Sequence, residues 1–163
     1  EELKKEQIKR RKERFKKVKG MVEGFESLSE TFADCTGCHN CQSVCPVCYC
    51  RQCYFDSEPS RLDAESVLLR TERRGAVSLP ADRVMFHIGR MSHMSLSCVS
   101  CGLCTDACPV SIPVADLFSY VADRTQDTFN YRSGNDKEEP VPLKTYREEE
   151  EKGINELVKG AEG

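Results

Sequence analysis

The chain has 163 residues, 39% of them hydrophobic and 31% charged, with no Trp and a formal net charge of −3. That length allows one domain with tails, and the apolar share makes a thin core for it. No run of about 18 apolar residues occurs, which excludes a membrane-spanning helix.

The charge is uneven: residues 1–20 carry ten Lys/Arg and four Glu, a local +6, whereas residues 135–163 carry nine acids and five bases, a local −4. The sequence opens on Glu1 rather than Met, as a piece of a longer polypeptide would. Eleven cysteines raise the question of disulfides. The number is odd, no apolar signal segment precedes them, and they fall into dense runs. A reducing, cytoplasmic setting is expected.

Residues 1–20, EELKKEQIKRRKERFKKVKG, have helix-forming composition. Leu3, Ile8, Phe15 and Val18 are too sparse for a broad core face. Residues 1–32 are expected to form a basic helical arm, exposed to solvent or lying on a partner. Charge alone would also suit nucleic acid, but no recognition motif accompanies it, and no such partner is expected.

Next comes Cys35-x2-Cys38-x2-Cys41-x3-Cys45-Pro46, a string that recurs as Cys98-x2-Cys101-x2-Cys104-x3-Cys108-Pro109. Two intervening residues let a tight loop aim three sulfurs at three corners of an iron-sulfur cube. Three more residues carry the fourth cysteine out of that cube's reach, toward a second one. The fixed φ of proline then turns the chain away. Two 4Fe-4S clusters with crossed ligation are expected. Cys35, Cys38, Cys41 and Cys108 would hold one. Cys98, Cys101, Cys104 and Cys45 would hold the other. Gly37 and Gly102 sit inside the loops, where a missing side chain lets backbone approach a sulfide. His39 reads as a surface or outer imidazole, because the cysteines already complete the set.

Three more cysteines follow within six residues, at Cys48, Cys50 and Cys53. They form a candidate third metal site, against the alternative of packing as small apolar side chains. No cysteine remains to complete it, so a fourth ligand would have to be His, Asp, solvent or a residue of another chain.

Residues 60–75, SRLDAESVLLRTERRG, carry helix signals: Ser60 as N-cap, Asp63 as its partner, and Gly75 as the stop. Leu62, Val67, Leu68 and Leu69 are expected to face inward. Residues 80–95 read as a second helix, with Pro80 in the first turn and Asp82 at the positive end of the dipole. Its core stripe is Val84, Met85, Ile88 and Met91, and His87 and His93 read as ordinary polar positions. A third helix follows Pro113 to about Tyr131, with Val114, Leu117, Phe118, Val121 and Phe129 inward. From Ser133 the chain is acidic and broken by Pro140 and Pro142. An extended tail that wraps a partner or stays mobile is expected, with a short helix at its end. The division is thus an arm over 1–32, a dicluster domain over 33–131 and an acidic tail over 132–163.

No alternating strand pattern lies between the loops, and the 53 positions from Cys45 to Cys98 read as two helices. The fold class is mainly α. The layout resembles the α-helical ferredoxin module of succinate dehydrogenase iron-sulfur subunits and of the small iron-sulfur subunit of heterodisulfide reductase. More narrowly, CTGCHNCQSVCPVCYCRQCYF and HIGRMSHMSLSCVSCGLCTDACPVSIPVADLF are similar to the iron-sulfur region of formate dehydrogenase β subunits. That family is related to deazaflavin-dependent hydrogenase and dehydrogenase β subunits and to heterodisulfide reductase assemblies. The similarity runs over about residues 33–150 and includes EEPVPLKTYREEE.

The resemblance implies an electron-transfer subunit. Its partners would be a molybdenum or tungsten pterin subunit that oxidises formate and a flavin or heterodisulfide reductase subunit. No Gly-rich phosphate loop or dinucleotide fingerprint occurs, so the sequence supports no flavin on this chain, and no active site of its own is expected. Two readings compete. One is a zinc-binding interaction module built on paired C-x2-C turns. The other is a cluster enzyme with a labile third site at Cys48, Cys50 and Cys53. Zinc sites pair two short turns. They do not call twice for a third cysteine and a fourth followed by proline.

Overall fold

The structure, a computed structural model, describes residues 2–50, 52–57, 64–75, 80–144, 148, 150 and 152. In chain order the helices are α1 Glu2–Val22, α2 Gly24–Thr31, α3 Asn40–Ser43, α4 Ala64–Arg74, α5 Pro80–Met94, α6 Leu103–Asp106 and α7 Val114–Thr128, with a 3-10 turn at Tyr54–Asp56. No strand occurs among the described residues, so the gap between the cysteine strings is helical, as the sequence suggests. No helix among them is long and apolar enough to cross a membrane.

The centre of the packing is α7. Val114, Leu117, Phe118 and Ala122 repeat at helical spacing and are buried. On one side α7 receives α1, on the other α5 and α6, and α2 closes over α5. Phe15 and Val18 of α1 therefore form a narrow seam on the chain's own α7, while Leu3 and Ile8 are exposed. Val18 is buried, and Phe15 meets Tyr120 edge to face at 5.5 Å. Arg11 pairs with Asp123 at 2.5 Å and Arg14 with Asp116 at 3.3 Å. Such partly exposed pairs each contribute only about 0.2–1 kcal/mol, so they set the register of α1 more than they hold it. Its remaining basic face is exposed.

Two expectations about the gap fail. On α4, Leu68 and Leu69 are 63% and 48% exposed. Successive residues fan around a helix by about 100° each, so a run of neighbours cannot share one buried face, and α4 packs closely on no other helix among the described residues. On α5, Met85 is 54% exposed, whereas Val84 and Met91 are buried and Ile88 is half-buried. Met85 lies beyond the edge of the seam that α2 and α7 cover. Gly75 does stop α4: its φ is +68°, and its N–H donates to Thr71 O at 2.8 Å. Ser60, Leu62, Asp63 and the short helix expected at the end of the tail lie outside the described residues, as do the side chains of Val67 and Asp82.

The start of the tail is anchored. Tyr131 is buried, and Ser133 donates its N–H to Gln126 Oε1 at 3.2 Å and its hydroxyl to Ser97 O at 3.1 Å. Gln126, buried on α7, donates to Ser95 O and Cys98 O at 2.9 and 3.1 Å. One amide thus ties the third long helix to the entry of the second cysteine loop.

Candidate metal centre

The two cysteine loops are backbone copies of each other. The second residue after the first cysteine has a left-handed φ in both, +69° at Gly37 and +60° at Ser100. So does the fourth, +57° at His39 and +92° at Gly102. His39 and Gly102 then become the N-caps of the one-turn helices α3 and α6. The turns close alike. Cys45 and Cys108 donate their N–H to Gln42 O and Thr105 O at 3.1 and 3.0 Å. Past the prolines, Cys48 and Ser111 donate to Cys45 O and Cys108 O at 3.1 and 3.2 Å. The loops face one another through α3 and α6.

At Gly37 and Gly102 it is the positive φ that favours glycine, since a Cβ there would meet no protein atom within 4 Å. Ser100 holds the same conformation with a side chain and bears the strain. Replacing Ser100 with Gly is expected to stabilise the loaded protein by about 0.5 kcal/mol, read as a rise in the denaturation midpoint. Valine there should lower it.

Two cavities lie beside the loops. The first, about 320 Å³ out to its open mouth, is lined by Cys35, Cys38, Cys41 and Cys108, with Phe86 and His87 behind them. The second, about 410 Å³, is lined by Cys45, Cys98, Cys101 and Cys104, with Met94 and Phe118 behind them. Each gathers three cysteines of one string and the last cysteine of the other. The fold produces this crossing because α3 and α6 pack together, so the chain leaving each short helix arrives at the other loop. Cys38 and Cys101 are exposed, while the other six are buried or half-buried.

Burial pushes the Cys41 and Cys98 thiols up and takes Cys104 to about 11. Neighbouring cysteines add to the rise at each of them, and the Arg90 guanidinium opposes it. A metal must therefore displace protons to bind here. Loading is expected to release protons and to tighten as pH rises toward the thiol range, which pH-stat reconstitution would record.

Behind the cysteines stands α5. Arg90 is only 2% exposed. Its Nη1 donates to Cys41 Sγ at 3.0 Å and its Nη2 to Cys41 O at 2.9 Å. His87 is buried, stacked on Phe32 at 3.9 Å, with Nε2 3.4 Å from Cys35 Sγ. Burial first, then Arg90 and His39, push its pKa down to about 4, so the ring is neutral near pH 7. By sequence alone His87 reads as an ordinary polar position, and Arg90 is not singled out. His39 stacks on Phe86 at 4.1 Å and comes 3.9 Å from Asp56, while His93 is exposed.

Cys48, Cys50 and Cys53 lie at the edge of this arrangement. Cys50 is exposed and the other two are half-buried. Gln42 Nε2 donates to Cys53 Sγ at 3.7 Å and to Asp56 Oδ2 at 2.5 Å. The segment docks through Phe55, which packs edge-on against Phe86 at 5.0 Å. Gly89 leaves room for that ring: a Cβ there would lie 2.6 Å from Phe55 Cζ. Gly89→Ala is expected to displace Phe55 and to quicken thiol labelling at Cys53.

Among the described residues no three Cys, His, Asp or Glu side chains converge on a point that would hold a single ion. The eight thiols instead line two cavities, four to each, and all are free of disulfides. Two buried polar atoms beside them, His87 Nδ1 and Arg90 Nε, have no hydrogen-bond partner. Soft thiol quartets lining two separate cavities, backed by polar atoms left unpaired, fit iron-sulfur cubes.

Comparison with known proteins agrees. Residues 31–112 match the 4Fe-4S dicluster domain family. The F420-dependent formate dehydrogenase subunit beta of Methanocaldococcus jannaschii is 33% identical over 106 residues, covering 65% of this chain and 24% of that protein. The F420-dependent formate dehydrogenase 1 subunit beta of Methanococcus maripaludis is 38% identical over 118 residues, covering 72% of this chain and 27% of that protein. The chain thus spans about a quarter of the length of these curated relatives. It belongs to the 4Fe-4S dicluster domain family, and its cofactors are two 4Fe-4S clusters.

Proposed function

We propose that this chain is the electron-relay part of a formate dehydrogenase β-type subunit. Cys35, Cys38, Cys41 and Cys108 would hold one cluster, and Cys98, Cys101, Cys104 and Cys45 the other. Bound there, the clusters supply one-electron uptake and release. The chain's own residues do the rest. The thiolates fix two centres in one rigid helical body, Phe86 and Phe118 keep water from their inner sides, and Cys38 and Cys101 leave each centre open at the surface. A centre exposed at one corner can exchange electrons with a neighbour. Two cavities, each lined by three cysteines of one string and the last cysteine of the other, are the observation that supports the reading.

The partners that suit it are a formate-oxidising subunit on one side and a flavin or heterodisulfide reductase subunit on the other, in a reducing cytoplasm. We assign Cys48, Cys50 and Cys53 to packing and surface rather than to a third metal. The test is anaerobic purification. The chain should carry about eight irons, lose its brown colour with dithionite, and oxidise no formate alone. Pull-down from its native host should retrieve the catalytic subunit. Zinc in place of iron would overturn the reading, and about twelve irons would restore the third site.

A further inference from the structure

Arg90 poses a problem that the protein atoms do not solve. It is among the most deeply buried side chains of the described core. A guanidinium keeps its charge at any ordinary pH, and taking it out of water carries a heavy desolvation penalty unless a counter-charge meets it. Among the described residues no carboxylate lies within ion-pair distance of it. Its partners are Cys41 Sγ, Cys41 O, at 3.8 Å Met94 Sδ, and the Cys48 thiol, none of them a carboxylate. Its Nε is buried without an acceptor. Two aromatic rings flank it, Phe86 at 5.5 Å and Phe118 at 4.9 Å. Phe86 lines the first cavity and Phe118 the second, so the guanidinium stands between the two thiol quartets.

We propose that Arg90 is the shared counter-ion of both cluster sites, placed so that one positive charge raises the reduction potential of each. This rests on the relay reading above and adds to it the group that sets the potentials. A cluster held by four thiolates is an anion, and reduction adds one further negative charge. A fixed cation close by favours that added charge, and a dry surrounding leaves the interaction weakly screened. The direct N–H···S bond to Cys41 draws charge from that thiolate as well. The first site should therefore respond more strongly than the second. The influence of the guanidinium on thiols of both quartets, Cys41 in one and Cys98 and Cys104 in the other, agrees with this placement.

The test is a potentiometric titration followed by electron paramagnetic resonance on the full chain, native and Arg90→Gln, both loaded anaerobically. Iron counting comes first. Fewer than about eight irons in the native chain would defeat the relay reading without touching Arg90. With both sites filled, both couples of Arg90→Gln should move to lower potential. At the poise that half-reduces the native protein, one couple should show about a tenfold lower reduced-to-oxidised ratio, equivalent to about 59 mV for one electron, and the other a smaller loss. A residue that only braces the loop would leave both potentials in place, and that result overturns the proposal. Arg90→Lys keeps the charge and loses the fork. It decides the matter if the glutamine variant does not load: one couple should fall and the other stay. Both couples falling together in the lysine variant, although the charge is kept, would also overturn the proposal.

Discussion

A chain carrying Cys35→Ser and Cys108→Ser together should retain about four irons, whereas one carrying Cys98→Ser and Cys108→Ser should retain almost none. The contrast follows from which thiols share a cavity. Cys35 and Cys108 line the first, so the double change removes two ligands from one centre and spares the other. Cys98 lines the second, so pairing its loss with that of Cys108 strikes both centres. If each string closed around its own cluster, the outcomes would be reversed. Iron analysis with acid-labile sulfide reads the result directly. Because the two proteins lose the same number of thiols and share one substitution, a general weakening of the fold cannot mimic the difference.

The cysteine strings and the helical gap between them are legible without coordinates, because loop spacing and helical periodicity are local properties. The same spacing leads to the expectation that Cys45 and Cys108 cross over, and each of them lines the cavity of the other string. Arg90 and His87 are harder to see. They stand three apart on the stripe that also holds Val84, Met91 and Met94, and a polar residue on an apolar stripe is the signal that was available. What hides their role is that each is justified by a partner on another element: Cys41 for Arg90, Cys35 for His87. The basic arm was opaque for a similar reason. Leu3, Ile8, Phe15 and Val18 look too few to bury, and Leu3 and Ile8 do stay exposed, but α7 takes Phe15 and Val18 while Asp116 and Asp123 receive the arginines. On α4 the reverse holds: apolar content suggests burial, but among the described residues no helix packs closely on it to receive that face.

Stripping both clusters should collapse the helical fold. Cys41 is part of the hydrophobic core with Val84, Met94, Val114 and Phe118, and Cys35, Cys45, Cys104 and Cys108 pack against it. Removing the inorganic groups opens the middle of the molecule and leaves a thin apolar shell. Structural metal sites contribute about 10–16 kcal/mol in small zinc domains. The whole stability of a domain this size is about 5–15 kcal/mol, so loss of two centres should exceed what the remaining contacts supply. Chelation under denaturant-free conditions should abolish most of the far-UV circular dichroism of α5 and α7. Native helicity in the metal-free chain would refute this. Arg90 sharpens the prediction, because without a cluster its charge is buried and uncompensated. Arg90→Met should therefore have opposite effects in the two states. In the loaded protein it removes a favourable contact with an anion and lowers stability. In the metal-free chain it removes a stranded charge, and the helical signal that survives chelation should be larger than in the native sequence.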